Sequence, residues 1–513
     1  MRGDLHRPAG HERDRLGPGR SDVGDATSRD RGLSSDHGAG VAGGYTLRRA
    51  NLDRGGESEG EHPGRIALRR RLDRACAGVV RPSAADASSA PPAPAFGVPR
   101  ATSFRILDRL HEPSMPDAIY LDHAATTPPD PRALAEYARL AADAFGNPSS
   151  THRFGADALR ALTDAREFLR GTLLAARLVF TSGGTEADML GIVGSVWRRP
   201  PGRVLVGAAD HPAVTALEAP LRRLNQRLTK VPVTSDGDID PEALFDLLGS
   251  DVRAVAILHG HNELGTLARV DELVGLVRRV APSAHVHLDI VQAYGKVPID
   301  LDELDVDSAA VSGHKLHGPR GVGFLALSNK AEVTALIAGG GQEEGLRGGT
   351  ENVAGAAALA HAADTAFSHL ASTARHTGDV ASAMFAALAR ANGGDAERLG
   401  HPDRHLPHIL SLRLPGIVGS TLQERMNARG VAFSVGAACH AHDGSGGTNP
   451  VHEAIGLSRR ESREVIRLSF SRTTTRAEVE RAAAIFAEEI AALRAQAPRR
   501  AGAERAATEE RSR

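Results

Sequence analysis

Lys230, Lys296, Lys315 and Lys330 are the only lysines among 62 basic residues, so any chemistry that needs an amine has four candidates. Lys315 stands in Asp307-Ser-Ala-Ala-Val-Ser-Gly-His-Lys315-Leu-His-Gly-Pro319, a strand-like run entering a Gly-flanked turn beside Ser312 and His314. An amine there, its pKa lowered by burial, can form an imine with a carbonyl. The plainer alternative is a surface lysine. Asp289 ends the run Leu288-Asp289-Ile-Val-Gln292. A carboxylate at the C-terminal end of a parallel strand lies where open α/β sheets bind ligands, or it simply caps the next helix. In Phe180-Thr-Ser-Gly-Gly-Thr-Glu-Ala-Asp188 a strand passes through small residues into a helix, and Gly183, Gly184 and Thr185 either cradle a phosphate or act only as a cap. Taken jointly, a phosphate cradle, an acid for a pyridinium nitrogen and an amine for an imine are what pyridoxal 5'-phosphate requires.

The thiols are fewer still. Cys76 and Cys439 are the only two, which excludes a disulfide framework or a thiolate metal cage. Cys439 sits in Ser434-Val-Gly-Ala-Ala-Cys-His440, followed by a Gly-rich run to Pro450. A thiol in such a loop is placed to attack a substrate sulfur as its thiolate. Cys76 receives no role. The pairs His259/His261 and His285/His287 each point to one face of a strand, as metal ligands sometimes do. No cysteine or second ligand pair lies near them in sequence, and no metal is expected. His440 and His442 suit loop polarity or local proton transfer better than metal binding.

These groups need a scaffold. The formal charge is 62 − 63 = −1, and no apolar run reaches the roughly 18 residues of a membrane span. Bulk polyanion binding and an integral membrane protein are therefore disfavoured. Residues 1–114 hold 19 arginines, no lysine and 15 acids, with little hydrophobic periodicity, and read as a disordered Arg/Gly-rich segment. Met115 precedes the first convincing strand, so a start codon placed too far upstream accounts for that segment. An Arg-rich arm for nucleic acid is the rival, weakened by the acids. From about residue 120 short apolar runs alternate with longer amphipathic ones, the rhythm of a mainly parallel sheet. Strands are expected at 178–180, 203–206, 252–258, 285–289, 308–311 and 322–327, forming a large domain over 115–375. A helical stretch then leads to strands at 408–414, 431–434 and 465–470, with helices near 421–429 and from Arg476 to about Arg494. This forms a smaller α+β domain over 376–497, and 498–513 reads as a frayed tail.

From Tyr120 to Arg494 the sequence resembles the class V aminotransferase family of pyridoxal-phosphate enzymes, in its cysteine desulfurase and selenocysteine lyase branch. The motifs occur in order: Tyr120-Leu-Asp-His-Ala-Ala-Thr-Thr-Pro128, Phe145-Gly-Asn-Pro-Ser-Ser150, Asp210-His211, Asn262-Glu263, Gly339-Gly-Gly-Gln-Glu343 and Arg347-Gly-Gly-Thr-Glu-Asn352. The resemblance implies an α/β fold of type I, with a large mainly parallel-sheet domain and a smaller C-terminal one. It implies that Lys315 is the Schiff-base lysine, Asp289 holds the pyridine nitrogen and His211 stacks on the ring. Gln292 and Asn262 would stand near the phenolic oxygen. Gly184, Thr185, Ser312 and His314 would hold the phosphate, joined by Thr350 from the second subunit of a homodimer. Arg467 would pair with the substrate carboxylate and Asn147 would help bind substrate, while Cys439 would accept sulfur as a persulfide.

The implied reaction releases L-alanine from L-cysteine or L-selenocysteine in the cytoplasm, handing sulfur or selenium to an acceptor protein. No membrane or specific nucleic-acid partner is implied. Its destination stays open between iron–sulfur clusters, tRNA thiolation and selenium recycling. The rival within the same family is an enzyme that transfers nitrogen without a thiol. Ala437 stands where the desulfurase form more often has serine, which leans toward selenocysteine. His123, Met189 and Glu344 also depart from the usual pattern, and Glu344 reverses a charge near the expected cofactor entrance.

Overall fold

The computed structural model describes residues 118–435 and 449–511. The expectations for 1–114 and for Cys439, His440 and His442 fall outside the described residues. All described residues belong to one compact unit, Ala101–Arg513. The chain enters through a two-residue strand, β1 (Ile119–Tyr120), and then α1 (Pro131–Asp143) and α2 (Arg153–Gly171). It continues through β2 (Arg177–Thr181), α3 (Gly184–Val196), β3 (Gly202–Gly207), β4 (Gln226–Val231), β5 (Val252–Leu258), β6 (His285–Asp289), β7 (Ser308–Ser312) and β8 (Gly323–Leu327).

These strands form a seven-stranded sheet in the order β2-β8-β7-β6-β5-β3-β4. Only β8 runs against its neighbours. Strands β6, β7 and β8 are buried at every position; β6 carries His285, His287 and Asp289 among its apolar residues, whereas Ala309–Val311 of β7 and Phe324–Leu327 of β8 are continuous apolar runs. Burial on both faces of a sheet demands that pattern. Helix α3 is apolar all round, with ten of its thirteen residues buried, because it packs against the middle of the sheet. The Ala-rich α4 (Val353–Ser368) lies against α1 and α2, and Ala133, Ala358 and Ala362 form the small contact between them.

The order of strands creates the site. Strands β2, β7, β6, β5 and β3 are mutually parallel, so their C-terminal ends all reach one edge of the sheet. The segments leaving those ends are 182–184, 313–315, 290–292, 259–262 and 208–211. Every residue that the motifs assign to cofactor binding, apart from Thr350, lies in or next to one of them. The crossover rule of parallel sheets thus brings distant motifs together without a local contact between them.

After α4, helix α5 (Leu370–Ala391) opens the second layer with β9 (Glu397–Arg398), β10 (Ile409–Arg413), α6 (Gly419–Ala428), β11 (Val431–Ala432), β12 (Val465–Ser469) and α7 (Arg476–Arg511). A three-stranded antiparallel sheet, β12-β10-β9, is backed by α5, α6 and α7 around Met384, Leu412, Met426, Phe470 and Phe486. Two details differ from the sequence expectation. Strand β1 pairs with β11, and Ile119 and Leu121 enter this second core rather than that of the large sheet. Helix α7 runs on to Arg511 instead of ending near Arg494. Its added residues are mainly Ala, Glu and Arg, all strong helix formers.

Candidate active site

A cavity of about 240 Å³ opens at the shared C-terminal edge of the sheet. Its lining brings together Gly184, Thr185, His211, Asn262, Asp289, Gln292, Ser312, His314 and Lys315. Helix α3 delivers the first two. Its N-cap, Gly183, has φ 156° and ψ −173°, a conformation that L side chains rarely adopt. A Cβ on Gly184 would come within 2.8 Å of Val291 Cγ2, so glycine there keeps the backbone amides of the helix start open. An amide start on a thirteen-residue helix suits an anion.

Lys315 lies in the short 3-10 turn after β7. Its Nζ donates to Ala124 O at 2.8 Å and to Ala125 O at 2.9 Å. Gln292 Nε2 donates to the same Ala124 carbonyl at 2.7 Å. The backbone of the Tyr120–Pro128 motif therefore aims both side chains. His211 caps a short helix, accepting at Nδ1 from the Ala213 amide at 3.1 Å, which leaves Nε2 to carry the proton. His314 Nδ1 lies 3.1 Å from Thr126 Oγ1.

Burial sets the electrostatics. It lowers His211 to about 4, with Lys315 adding to the effect, so the ring is neutral near pH 7. His314 is lowered to about 4 for the same two reasons. Burial also pushes the Asp289 carboxyl up, and the neighbouring Asp188 carboxylate raises it further, while the Val291 amide bonding its Oδ1 at 2.9 Å pulls it back. Two carboxyls at one dry site resist ionising together unless a cation joins them.

Asp188 also lines the cavity and had no assigned role from sequence. Its position four residues after Gly184 places it on the same helical face, which is the signal that identifies it. Asp188 Oδ1 lies 3.1 Å from His287 Nε2, and His287 Nδ1 meets the Ser308 hydroxyl at 2.8 Å. His285 Nε2 reaches that hydroxyl from the other side at 2.7 Å. This buried chain beneath the sheet end occupies the histidine pair that resembled metal ligands. His261 is likewise engaged by backbone, through Ala209 O at Nε2 and two amides at Nδ1.

Three expected site residues do not line this cavity. Arg467, buried on β12, donates from one terminal nitrogen to Asn262 O at 2.9 Å and from the other to Asp122 Oδ1 at 2.7 Å. Its Nε has no hydrogen-bond partner among the described residues, which leaves a donor beside the Asn262 segment. Asn147 is exposed, its Oδ1 accepting from the Ser149 amide at 2.9 Å. Thr350 is exposed as well. The Gly-rich segment that leads to it is pinned by Glu343, which takes a two-pronged bond from Arg166 at 2.6 and 2.8 Å and a third from the Phe180 amide at 2.8 Å. Glu344, beside it, is exposed with φ 57°, and Met189 is exposed too. His123 is buried, lowered to about 4 by that burial and by His317.

The comparison with known proteins agrees with this arrangement. The aminotransferase class V family model matches residues 119–482. A cysteine desulfurase of Frankia sp. (strain EuIK1) is 36% identical over 394 residues, spanning 73% of this chain and 92% of its own. The cysteine desulfurase of Gluconacetobacter diazotrophicus is 35% identical over 397 residues, spanning 74% and 96%. A solved NifS-like protein superposes with a TM-score of 0.67 at 32% identity, over 73% of this chain and 99% of that one. Pyridoxal phosphate, the cofactor of this family, is compatible with the donors present: an open helix N-terminus with Ser312 and His314 for the phosphate, a buried carboxyl for the ring nitrogen and an amine for the carbonyl carbon. The chain is thus a member of the aminotransferase class V family, a pyridoxal-phosphate-dependent enzyme with the type I fold.

Proposed function

We propose that the protein is a cysteine desulfurase or selenocysteine lyase, releasing L-alanine from L-cysteine or L-selenocysteine. The observation that carries this is the meeting of Lys315, Asp289, His211 and the open start of α3 in one cavity, with Arg467 tied to its rim through Asn262. Bound pyridoxal phosphate supplies an electron sink that weakens bonds at the substrate Cα and Cβ. Lys315 would be the amine that holds the cofactor carbonyl, and its free amine would be the base for the substrate Cα proton. Asp289 would hold the pyridine nitrogen, a cation that would keep the buried carboxylate ionised. Neutral His211 would lie against the ring. Gly184, Thr185, Ser312 and His314 would hold the phosphate, and Gln292 and Asn262 would serve the phenolic oxygen. Arg467 directs its spare donor to the substrate carboxylate, with Asn147 alongside it.

For cysteine the Cβ–S bond breaks as Cys439 thiolate forms an S–S bond to the substrate sulfur. The product is a persulfide on Cys439, and a proton delivered to Cβ and another returned to Cα complete alanine. An acceptor protein then takes that sulfur. With selenocysteine the weaker C–Se bond lessens the need for the thiolate. A reducing compartment such as the cytoplasm keeps this thiol free, and among the described residues no helix is long and apolar enough to cross a membrane. The working unit is a homodimer in which Thr350 completes the partner's phosphate site. Its exposure, together with that of Phe145 and Phe154 near Asn147, supports this reading.

The test is alanine formation from cysteine and from selenocysteine by wild type and by Cys439→Ala. The proposal expects sulfur release from cysteine to vanish in the variant while selenocysteine cleavage is the better retained. Sulfide release from cysteine at the wild-type rate by Cys439→Ala would remove the persulfide step, and nitrogen transfer without alanine release would favour the rival class V reaction.

A further inference from the structure

Lys315 also lines a second and smaller cavity, of about 50 Å³, whose lining does not include Asp289. It is bounded by the Gly295–Lys296 turn after β6, the start of α5, and the chain leaving β12. Its lining holds Lys296, Lys315, Arg472, His123, His317 and His408, and among the lining residues there is no carboxylate. The rest of the lining is neutral, from Thr127, Leu316 and Thr377 to Phe470, so every titratable group facing the cavity is a base, whereas buried charges are normally matched.

Arg472 is matched outside the cavity by Asp130. Lys296 is not. Its Nζ donates to Gln292 O at 3.0 Å and approaches Gln292 Oε1 at 3.5 Å, both neutral acceptors. No carboxylate among the described residues lies within ion-pair distance of it. Burial, with Lys315 nearby, lowers this amine to about 7, as expected for an ammonium that lacks a counter-charge. Two imidazoles that line the same cavity also have unpartnered nitrogens, although His123 Nε2 meets Thr474 Oγ1 at 3.4 Å. His408, 5% exposed, has neither ring nitrogen hydrogen-bonded, and His123, also 5% exposed, has no partner at Nδ1. Each neutral imidazole offers one N–H.

We propose that this cavity binds a single monovalent anion of halide size, held by the Lys296 ammonium and the N–H groups of His123 and His408. The volume accepts a few water-sized species, enough for a halide with part of its hydration. The anion supplies the charge that the walls lack, and it keeps Lys296 protonated. Lys296 then holds Gln292, whose Nε2 shares the Ala124 carbonyl with Lys315. Three hydrogen bonds, Lys296 to Gln292, Gln292 to the Ala124 carbonyl and Lys315 to that same carbonyl, therefore link the anion-binding ammonium to the lysine that carries the chemistry.

The test uses bromide, which is seen by its anomalous scattering. Crystals of the full-length holoenzyme grown in bromide are expected to show an anomalous peak between Lys296, His123 and His408. In solution, bromide at constant ionic strength, set against a bulky organic anion, is expected to raise the melting temperature of wild type. Lys296→Met should lose the peak and at least about tenfold in bromide affinity, the scale of a lost charge-assisted hydrogen bond. His408→Gln, which keeps a donor, should retain a weaker site and guards against a variant that fails to fold. Density without anomalous signal in the wild-type cavity would mean water only and would overturn the proposal. So would bromide found solely at surface positions, or an equal thermal gain in Lys296→Met.

Discussion

The two cavities that share Lys315 are built from opposite materials. The larger one carries Asp188 and Asp289 and the open amides of α3, and its histidines are fixed by backbone or hydroxyl bonds. The smaller one has no carboxylate in its lining, and its histidines His123 and His408 keep unpartnered nitrogens. Lys315 is shared by a cavity that contains carboxyls and one that contains none. The contrast teaches that the lysine's surroundings are asymmetric by construction: carboxyls lie in the cavity where a cationic ring is expected, and the titratable groups of the other cavity are all bases.

The strongest way to break the comparison is at the shared residue. Lys315→Ala is expected to lower alanine formation by at least about a thousandfold and to abolish the visible absorbance of lysine-bound cofactor, read by spectrum and product assay. A fully active Lys315→Ala protein would sink the scheme. Next comes the acid side: Asp289→Asn, unable to stabilise a protonated ring nitrogen, should lower turnover about a hundredfold while the protein still binds cofactor. Unchanged turnover would show that the ring nitrogen is held otherwise. Gly184→Ala should weaken cofactor binding about tenfold, because the new Cβ meets Val291 Cγ2 at 2.8 Å; equilibrium dialysis gives the answer.

The base side predicts a pH dependence. The folded-state pKa of Lys296 lies below its unfolded value, so the unfolded chain binds more protons between about pH 7 and the ordinary lysine range. Stability should therefore rise with pH across that window in halide-free buffer, and the contribution should disappear in Lys296→Met, as urea titrations at several pH values would record. The buried histidines His211, His261, His285 and His287, lowered to about 3 or 4, act in the acid range with the same sign. Their contribution is lost as pH falls from about 6.5 toward those values. A flat stability profile between pH 6 and 4 would contradict that burial.

Much of the large domain was legible because a buried parallel sheet leaves short runs rich in Val, Ile and Leu between polar turns, and those at 252–258 and 285–289 begin and end where the pattern placed them. The motifs were legible for a related reason, since glycine at 184 and a carboxylate at a strand end answer to local backbone geometry. Asp188 was less visible, as its meaning depends on the sheet bringing His287 to it. Lys296 and His408 were invisible as a pair, being more than a hundred residues apart in sequence. Strand β1 was assigned to the wrong layer because two residues of strand carry no information about which partner completes them. The inward turn of Glu343, with φ 49°, also escaped the sequence, since nothing local announces a buried glutamate in a Gly-rich loop.

That glutamate has a wider consequence. Arg166 and the Phe180 amide clamp it from within its own subunit, while Thr350, seven residues on, faces outward. If Thr350 serves the neighbour's phosphate, each subunit is the custodian of the other's cofactor, and the clamp sets how firmly that loan is held. Retention of pyridoxal phosphate then becomes a function of protein concentration: dilution that separates the pair should empty the sites, and a loosened clamp should make them empty sooner.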